Sequence, residues 1–308
     1  MRKLAVMSAF LCLALLAALI WATGTTQLID TLKKVPPGHI IAALAAVQVQ
    51  IVASAWRWRF TARRLGQEMP LSVAIREYYV SSALNLVLPG GMAGDAVRAY
   101  RSRAEGEGGW KRPAAAVFLE RLSGQLVFFA LVCGGLIAWP LFLGGKLPGN
   151  FGVVIWIAAA LVIAGLGLAI ALRNARLPAR FRGLGPDLAA VFWKDGAWLV
   201  QAGLGVLIVG GYIATFMIAS DAVGAPLPPI AAFTVIPLCL LTMLIPAGIG
   251  GWGTRETAAA ALWPLFGYAS VDGLAASLAY GLLSLVGAAI PGLISVAVSL
   301  WQGRIGKA

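Results

Sequence analysis

Long apolar runs alternate with short polar tracts along this chain of 308 residues. Apolar stretches cover residues 4–23, 39–56, 113–139, 151–172, 196–219 and 273–300. Each is close to or beyond the ~20 residues that cross a hydrocarbon core as a helix. Two further stretches, 70–112 and 228–270, begin with an apolar limb and then break at a Pro/Gly cluster that also carries charge. The pattern predicts an all-α polytopic membrane protein of about six full spans plus two re-entrant helical hairpins. The first run follows Arg2 and Lys3, as a secretory signal would. It is longer than a signal's apolar region of roughly 7–15 residues and lacks a clear cleavage site, so it reads as a retained span.

Composition agrees. Apolar residues make up 60% of the chain and charged residues 12%, against about 25% charged in soluble domains. The net charge of +12 does not point to nucleic acid, because the basic residues sit in short tracts between apolar runs, as the positive-inside rule expects of cytoplasmic loops. Cys12, Cys133 and Cys239 are scattered through apolar runs and imply neither a disulfide nor a metal site. His39 is the only histidine, so zinc sites of the usual ligand spacing and histidine triads are excluded. There is no G-x-x-x-x-G-K-[ST] motif for ATP. No cofactor or metal is expected.

Loop charges fix the expected path. With Arg2 and Lys3 in the cytoplasm, the second span returns to Arg57, Arg59, Arg63 and Arg64. If residues 71–88 crossed fully, Arg98, Arg101, Arg103, Lys111 and Arg112 would lie outside, against the rule. A hairpin turning at Pro89-Gly90-Gly91 keeps them inside. The same reasoning makes 228–270 a hairpin entered from the opposite face, and leaves Arg304, Lys307 and both termini in the cytoplasm. Residues 1–150 then hold two spans, a hairpin and a span, and residues 151–308 repeat that order inverted. Inverted repeats with broken helices are a recurring transporter plan.

The candidate chemistry sits at the hairpin tips. The first reads Asn85-Leu-Val-Leu-Pro89-Gly90-Gly91-Met-Ala-Gly94-Asp95-Ala-Val-Arg98, and the second Pro246-Ala-Gly-Ile-Gly250-Gly251-Trp252-Gly253-Thr254-Arg255-Glu256. Glycine permits tight turns and close approach. Non-helical backbone at membrane depth requires burial in protein or a wet cavity. Limbs that begin after Gly91 and Gly251 would present free N–H groups to an anion, and Arg98 and Arg255 would add bidentate contacts to phosphate. Asp95 and Arg98, at i, i+3, share one helix face, whereas Arg255 and Glu256 are adjacent and point in different directions. Glu120 and Arg121 lie inside an apolar run, about 12 Å beyond Arg112 at 1.5 Å per residue. Ionisable residues so placed are functional candidates. Arg76 and Glu77 read instead as interfacial, and Trp56-Arg57-Trp58-Arg59 as an aromatic anchor.

The two tip motifs resemble the signatures of the lysylphosphatidylglycerol synthase transmembrane family, also called flippase-like proteins, and Glu120-Arg121 is similar to its Glu-Arg pair. Thr254 and Thr257 stand where other small residues are expected. The resemblance implies movement of a lipid or lipid-linked headgroup between leaflets of a bacterial inner membrane. It implies an anionic phospholipid or a polyprenyl-phosphate-linked lipid as substrate, and a lipid-synthesis enzyme as a possible partner. Bifunctional members continue into a soluble aminoacyl-transferase domain. This sequence stops at Ala308, so lipid aminoacylation is not expected of it. In the flippase reading Arg98, Arg121 and Arg255 attract the phosphate, while Asp95, Glu120 and Glu256 hold those arginines or meet a cationic part of the headgroup. Two rivals stay open on the residues alone: a scaffold or regulator of a lipid-modifying enzyme, and an intramembrane enzyme acting on a lipid phosphate.

Overall fold

The computed structural model describes residues 25–88, 91–103, 109–143, 184–244 and 250–305. All regular structure among them is helical. In chain order the helices are α1 (Thr25–Lys33), α2 (Pro37–Arg64), α3 (Leu71–Val87), α4 (Ala93–Arg101), α5 (Lys111–Leu143) and α6 (Leu184–Phe192). They continue with α7 (Ala197–Ala222), α8 (Val235–Leu241), α9 (Thr254–Leu262) and α10 (Ser270–Ile305).

Four segments are long and apolar enough to cross a membrane: Pro37–Arg64, Lys111–Ile137, Lys194–Ala222 and Ser270–Val298. They coincide with the spans expected at 39–56, 113–139, 196–219 and 273–300. The spans expected at 4–23 and 151–172, and Cys12, lie outside the described residues. Local chemistry sets the helix ends. Pro36 and Pro37 open α2, where a missing N–H costs nothing. Gly66, at φ +78°, closes it with Gly66 N–H on the Arg63 carbonyl and Gln67 N–H on that of Ala62. Gly224 closes α7 in the same manner.

Side-chain contacts give the helix directions. Gln201, early in α7, donates to Thr61 late in α2 at 3.1 Å and accepts from Ser123, early in α5, at 2.9 Å. At the other end His39 of α2 meets Asp221 of α7 at 3.0 Å. Helices α5 and α7 therefore run together and against α2. Helix α10 starts where α5 and α7 finish, with Leu274 and Tyr280 packed among Trp139 and Phe216, then passes α2 at Ala288 and α3 at Gly292. These relative directions are those the loop charges require. The arginine-rich ends also gather at one end of the bundle, where Arg64 pairs with Asp195 and Arg112 with Asp187, each at 2.8 Å.

Helices α3 and α4 form an antiparallel pair. Ser81 donates to Asp95, the Gly94 N–H to Asn85, and Arg101 to Glu77. Both limbs reach the end of the bundle occupied by Leu65 and Ala116. The segment from the 3-10 turn Pro229–Ala232 through α8 and α9 belongs instead to the core at the opposite end, with Trp139, Phe216 and Trp263. The tips of the two hairpins meet between these cores. A Cβ on Gly250 would stand 2.5 Å from the Leu86 carbonyl oxygen.

Two surface assignments are corrected. Helix α2 continues beyond 56 to Arg64, so Trp56-Arg57-Trp58-Arg59 is not a common interfacial anchor. Trp56 is exposed, whereas Arg57 and Trp58 are only 4% and 0% accessible, because consecutive helical residues point about 100° apart. Glu77 is likewise buried at 4%, clamped by Arg76 at 3.1 Å and Arg101 at 2.7 Å. Only its arginine partners reach the surface.

Candidate functional site

Glu120 is nine residues into α5, about 13 Å from the helix start at 1.5 Å per residue, and is fully buried. Such a carboxylate is tolerated only with its charge matched and its lone pairs filled. Arg57 donates to Oε1 through Nε at 3.2 Å and Nη2 at 2.7 Å. The Tyr78 hydroxyl adds a donor at 3.3 Å, and Arg98 donates to Oε2 at 3.1 Å. Asp95 continues the network, accepting from Arg98 at 3.0 Å, Arg121 at 2.9 Å and Ser81 at 3.2 Å. The Arg98 guanidinium is also held over the rings of Trp58 and Tyr78, at 4.6 and 4.4 Å. Three guanidiniums thus face two carboxylates, an excess of one positive charge.

The second hairpin builds a smaller, neutral cluster. Arg255 and Glu256 were expected to diverge, but Arg255 Nη2 donates to Glu256 Oε1 at 2.5 Å. Ser277 of α10 accepts from Arg255 Nε at 2.9 Å and donates to the same carboxylate at 3.0 Å. The Arg255 guanidinium lies over Trp252 and Tyr280, at 5.1 and 4.8 Å, repeating the two-ring arrangement around Arg98. The Thr254 and Thr257 hydroxyls donate to carbonyls of the turn, which gives the two threonines a local role. Two N–H groups expected to await an anion are already used. Gly94 donates to Asn85 at 2.8 Å, and Gly253 to Glu256 Oε2 at 2.6 Å.

Between the clusters lies a cavity of about 240 Å³, walled by α2, α3, α5, α7, α10 and both hairpin tips. Of the residues expected to bind substrate, Asn85, Gly91, Arg121 and Gly250 line it. Gly94, Asp95, Arg98, Glu120, Gly251, Trp252, Gly253, Arg255 and Glu256 stand behind its wall; Pro89, Gly90 and Pro246 lie outside the described residues. Arg98 and Arg255 are 1% and 0% accessible, and among the described residues the cations that line the cavity are Arg57 and Arg121. Arg57 Nη1, Arg121 Nε, Asn85 Nδ2 and, behind the wall, Arg98 Nε and Nη1 are buried donors without a protein partner, and Gln125 Oε1 is a buried acceptor in the same state. Gly124 leaves room for Arg57, since a Cβ there would stand 2.8 Å from Nη2.

Arg57 is the residue that span counting missed. Its signal was a polar stripe, Gln50, Ser54, Arg57 and Thr61, at the 3.6-residue period inside an apolar helix. All four are buried. With this geometry in view, the family described as Lysylphosphatidylglycerol synthase TM region matches residues 4–292. No curated protein matches the chain.

Proposed function

The chain belongs to the lysylphosphatidylglycerol synthase transmembrane-region family, and from that premise we propose that it is a lipid flippase, carrying a phosphate-bearing headgroup between leaflets. The observation that carries this reading is the cavity between the two hairpin tips, lined by Arg57 and Arg121 and, among the described residues, by no carboxylate. A phosphate there meets the one unmatched positive charge of the cluster. The acyl or prenyl chains stay in lipid, so only the headgroup needs the polar interior.

In this reading both hairpins are re-entrant, and the halves 1–150 and 151–308 form an inverted repeat whose broken helices meet near the midplane. Both termini face the cytoplasm of a bacterial inner membrane. The substrate is an anionic phospholipid or a polyprenyl-phosphate-linked lipid, supplied by a lipid-synthesis enzyme. The buried clusters at Arg98 and Arg255 hold the hairpins in register, and Arg57 and Arg121 face the cargo. This division of labour supports transport over a scaffold, because a purely structural network needs no cavity lined by two guanidiniums.

The test is translocation of fluorescent lipids in proteoliposomes containing the full chain. Wild type is expected to move an anionic lipid well above empty vesicles, and Arg121→Gln, folded to the same thermal midpoint, to lose most of that rate. A wild-type rate equal to that of empty vesicles would sink the flippase reading.

A further inference from the structure

We infer that the cavity selects a monoanionic phosphodiester esterified to a neutral polyol, and turns away headgroups that carry an ammonium. The inference rests on the flippase reading for its setting, but its own support is the charge of the cavity wall. Two guanidiniums, Arg57 and Arg121, line the cavity, and no carboxylate does so among the described residues. Asp95 and Glu120 lie behind the wall, with their oxygens taken up by arginine, tyrosine and serine donors. The excess of one positive charge in this cluster equals the charge of one phosphodiester. It leaves nothing for a second, cationic group to pair with, and a buried unpaired ammonium is strongly disfavoured.

The rest of the wall suits hydroxyls. Ser82, Asn85, Gln125, Tyr212 and Ser284 supply neutral donors and acceptors. The cavity's volume of about 240 Å³ suits a compact polar headgroup. A glycerol headgroup on a diacyl lipid and a sugar on a prenyl phosphate share this chemistry. An ethanolamine or aminoacyl headgroup does not.

The experiment measures binding and transport separately. Calorimetric titration of the detergent-solubilised full chain uses dihexanoyl phosphatidylglycerol, the phosphatidylethanolamine of equal chain length, a lysyl ester of the former, a short prenyl phosphoglucose and inorganic phosphate. At least tenfold tighter binding of the glycerol or glucose diester than of both ammonium lipids is expected. Whichever of the two diesters binds tighter identifies the lipid source. Gln125→Glu cancels the excess charge and adds a carboxylate to the wall. It should bring the glycerol and ethanolamine lipids within about threefold of each other while thermal unfolding stays unchanged. Equal or tighter binding of either ammonium lipid to wild type overturns the inference, as does inorganic phosphate binding as tightly as the diesters. Fluorescent lipid translocation then tells the two readings apart. Selective binding without transport removes the flippase reading and leaves the headgroup inference standing. Unselective transport does the reverse.

Discussion

Arg57 reaches Glu120 across 63 positions of sequence, its Nη2 donating to Oε1 at 2.7 Å, with both side chains almost wholly shielded. That pair joins α2 to α5, and Arg57 also lines the cavity. One side chain thereby belongs both to the packing network and to the cavity wall.

Removing Glu120 tests the packing half. Glu120→Ala leaves Arg57 and Arg98 without their shared carboxylate, and breaking a buried pair costs about 3–5 kcal/mol. The expected result is a large drop in the thermal midpoint of the detergent-solubilised protein. Glu120→Gln keeps the shape, loses the charge, and should fall between Glu120→Ala and wild type. A midpoint for Glu120→Ala equal to that of wild type would show that the network does not hold α2 to α5.

The second cluster separates a hydrogen bond from an ion pair. Ser277→Ala removes one neutral partner of Arg255 and Glu256 and should cost about 1 kcal/mol. Arg255→Ala strands Glu256 in the core and should cost about 3–5 kcal/mol. Chemical denaturation of the two variants side by side checks the ratio, and equal losses would contradict the assigned geometry.

Most of the frame was legible in sequence, for physical reasons that vary from element to element. Apolar length marked α2, α5, α7 and α10, because a bilayer sets a minimum span. Loop charge predicted their relative directions, and the contacts of Thr61, Gln201, His39 and Asp221 agree. The Asp95–Arg98 pair followed from i, i+3 spacing, and it forms at 3.0 Å. What stayed hidden depended on tertiary contact. Adjacency argued that Arg255 and Glu256 diverge, yet the side chains fold back onto each other around Ser277. Arg57 looked like surface punctuation until α5 covered it. Its neighbour across the bundle, Gly124, is a space that single-sequence reading does not price.

Contact between the hairpin tips predicts intolerance at Gly250. Its φ of +56° lies in the left-handed region, which costs an ordinary residue roughly 1–2 kcal/mol. A methyl group there would also stand 2.5 Å from the Leu86 carbonyl oxygen. Gly250→Ala should therefore part the tips, open the cavity and reduce lipid translocation several-fold at equal protein amount. Gly224→Ala is the control, with φ +83° but open space around its Cβ. It should lower stability by a similar backbone cost and leave translocation unchanged in the folded fraction. If Gly250→Ala and Gly224→Ala behave alike, tip contact has no part in transport.

At the arginine-rich end, Asp195 holds a left-handed conformation, φ 53°, just before α7. Two forces act there in opposite directions. Its carboxylate accepts from Arg64 Nη1 at 2.8 Å, but the aspartate side chain is 66% accessible. An exposed pair of this kind is worth about 0–1 kcal/mol and weakens with salt. The backbone strain that glycine would relieve is of similar size. Asp195→Gly should thus leave the thermal midpoint nearly unchanged at low salt and raise it slightly above 0.5 M salt, where the pair is screened. Asp195→Ala keeps the strain and loses the pair, so it should fall below wild type at low salt and approach it at high salt. Midpoints for both variants across a salt series decide the matter. An Asp195→Gly protein destabilised equally at every salt concentration would show that the screened ion pair does not set the balance at this turn.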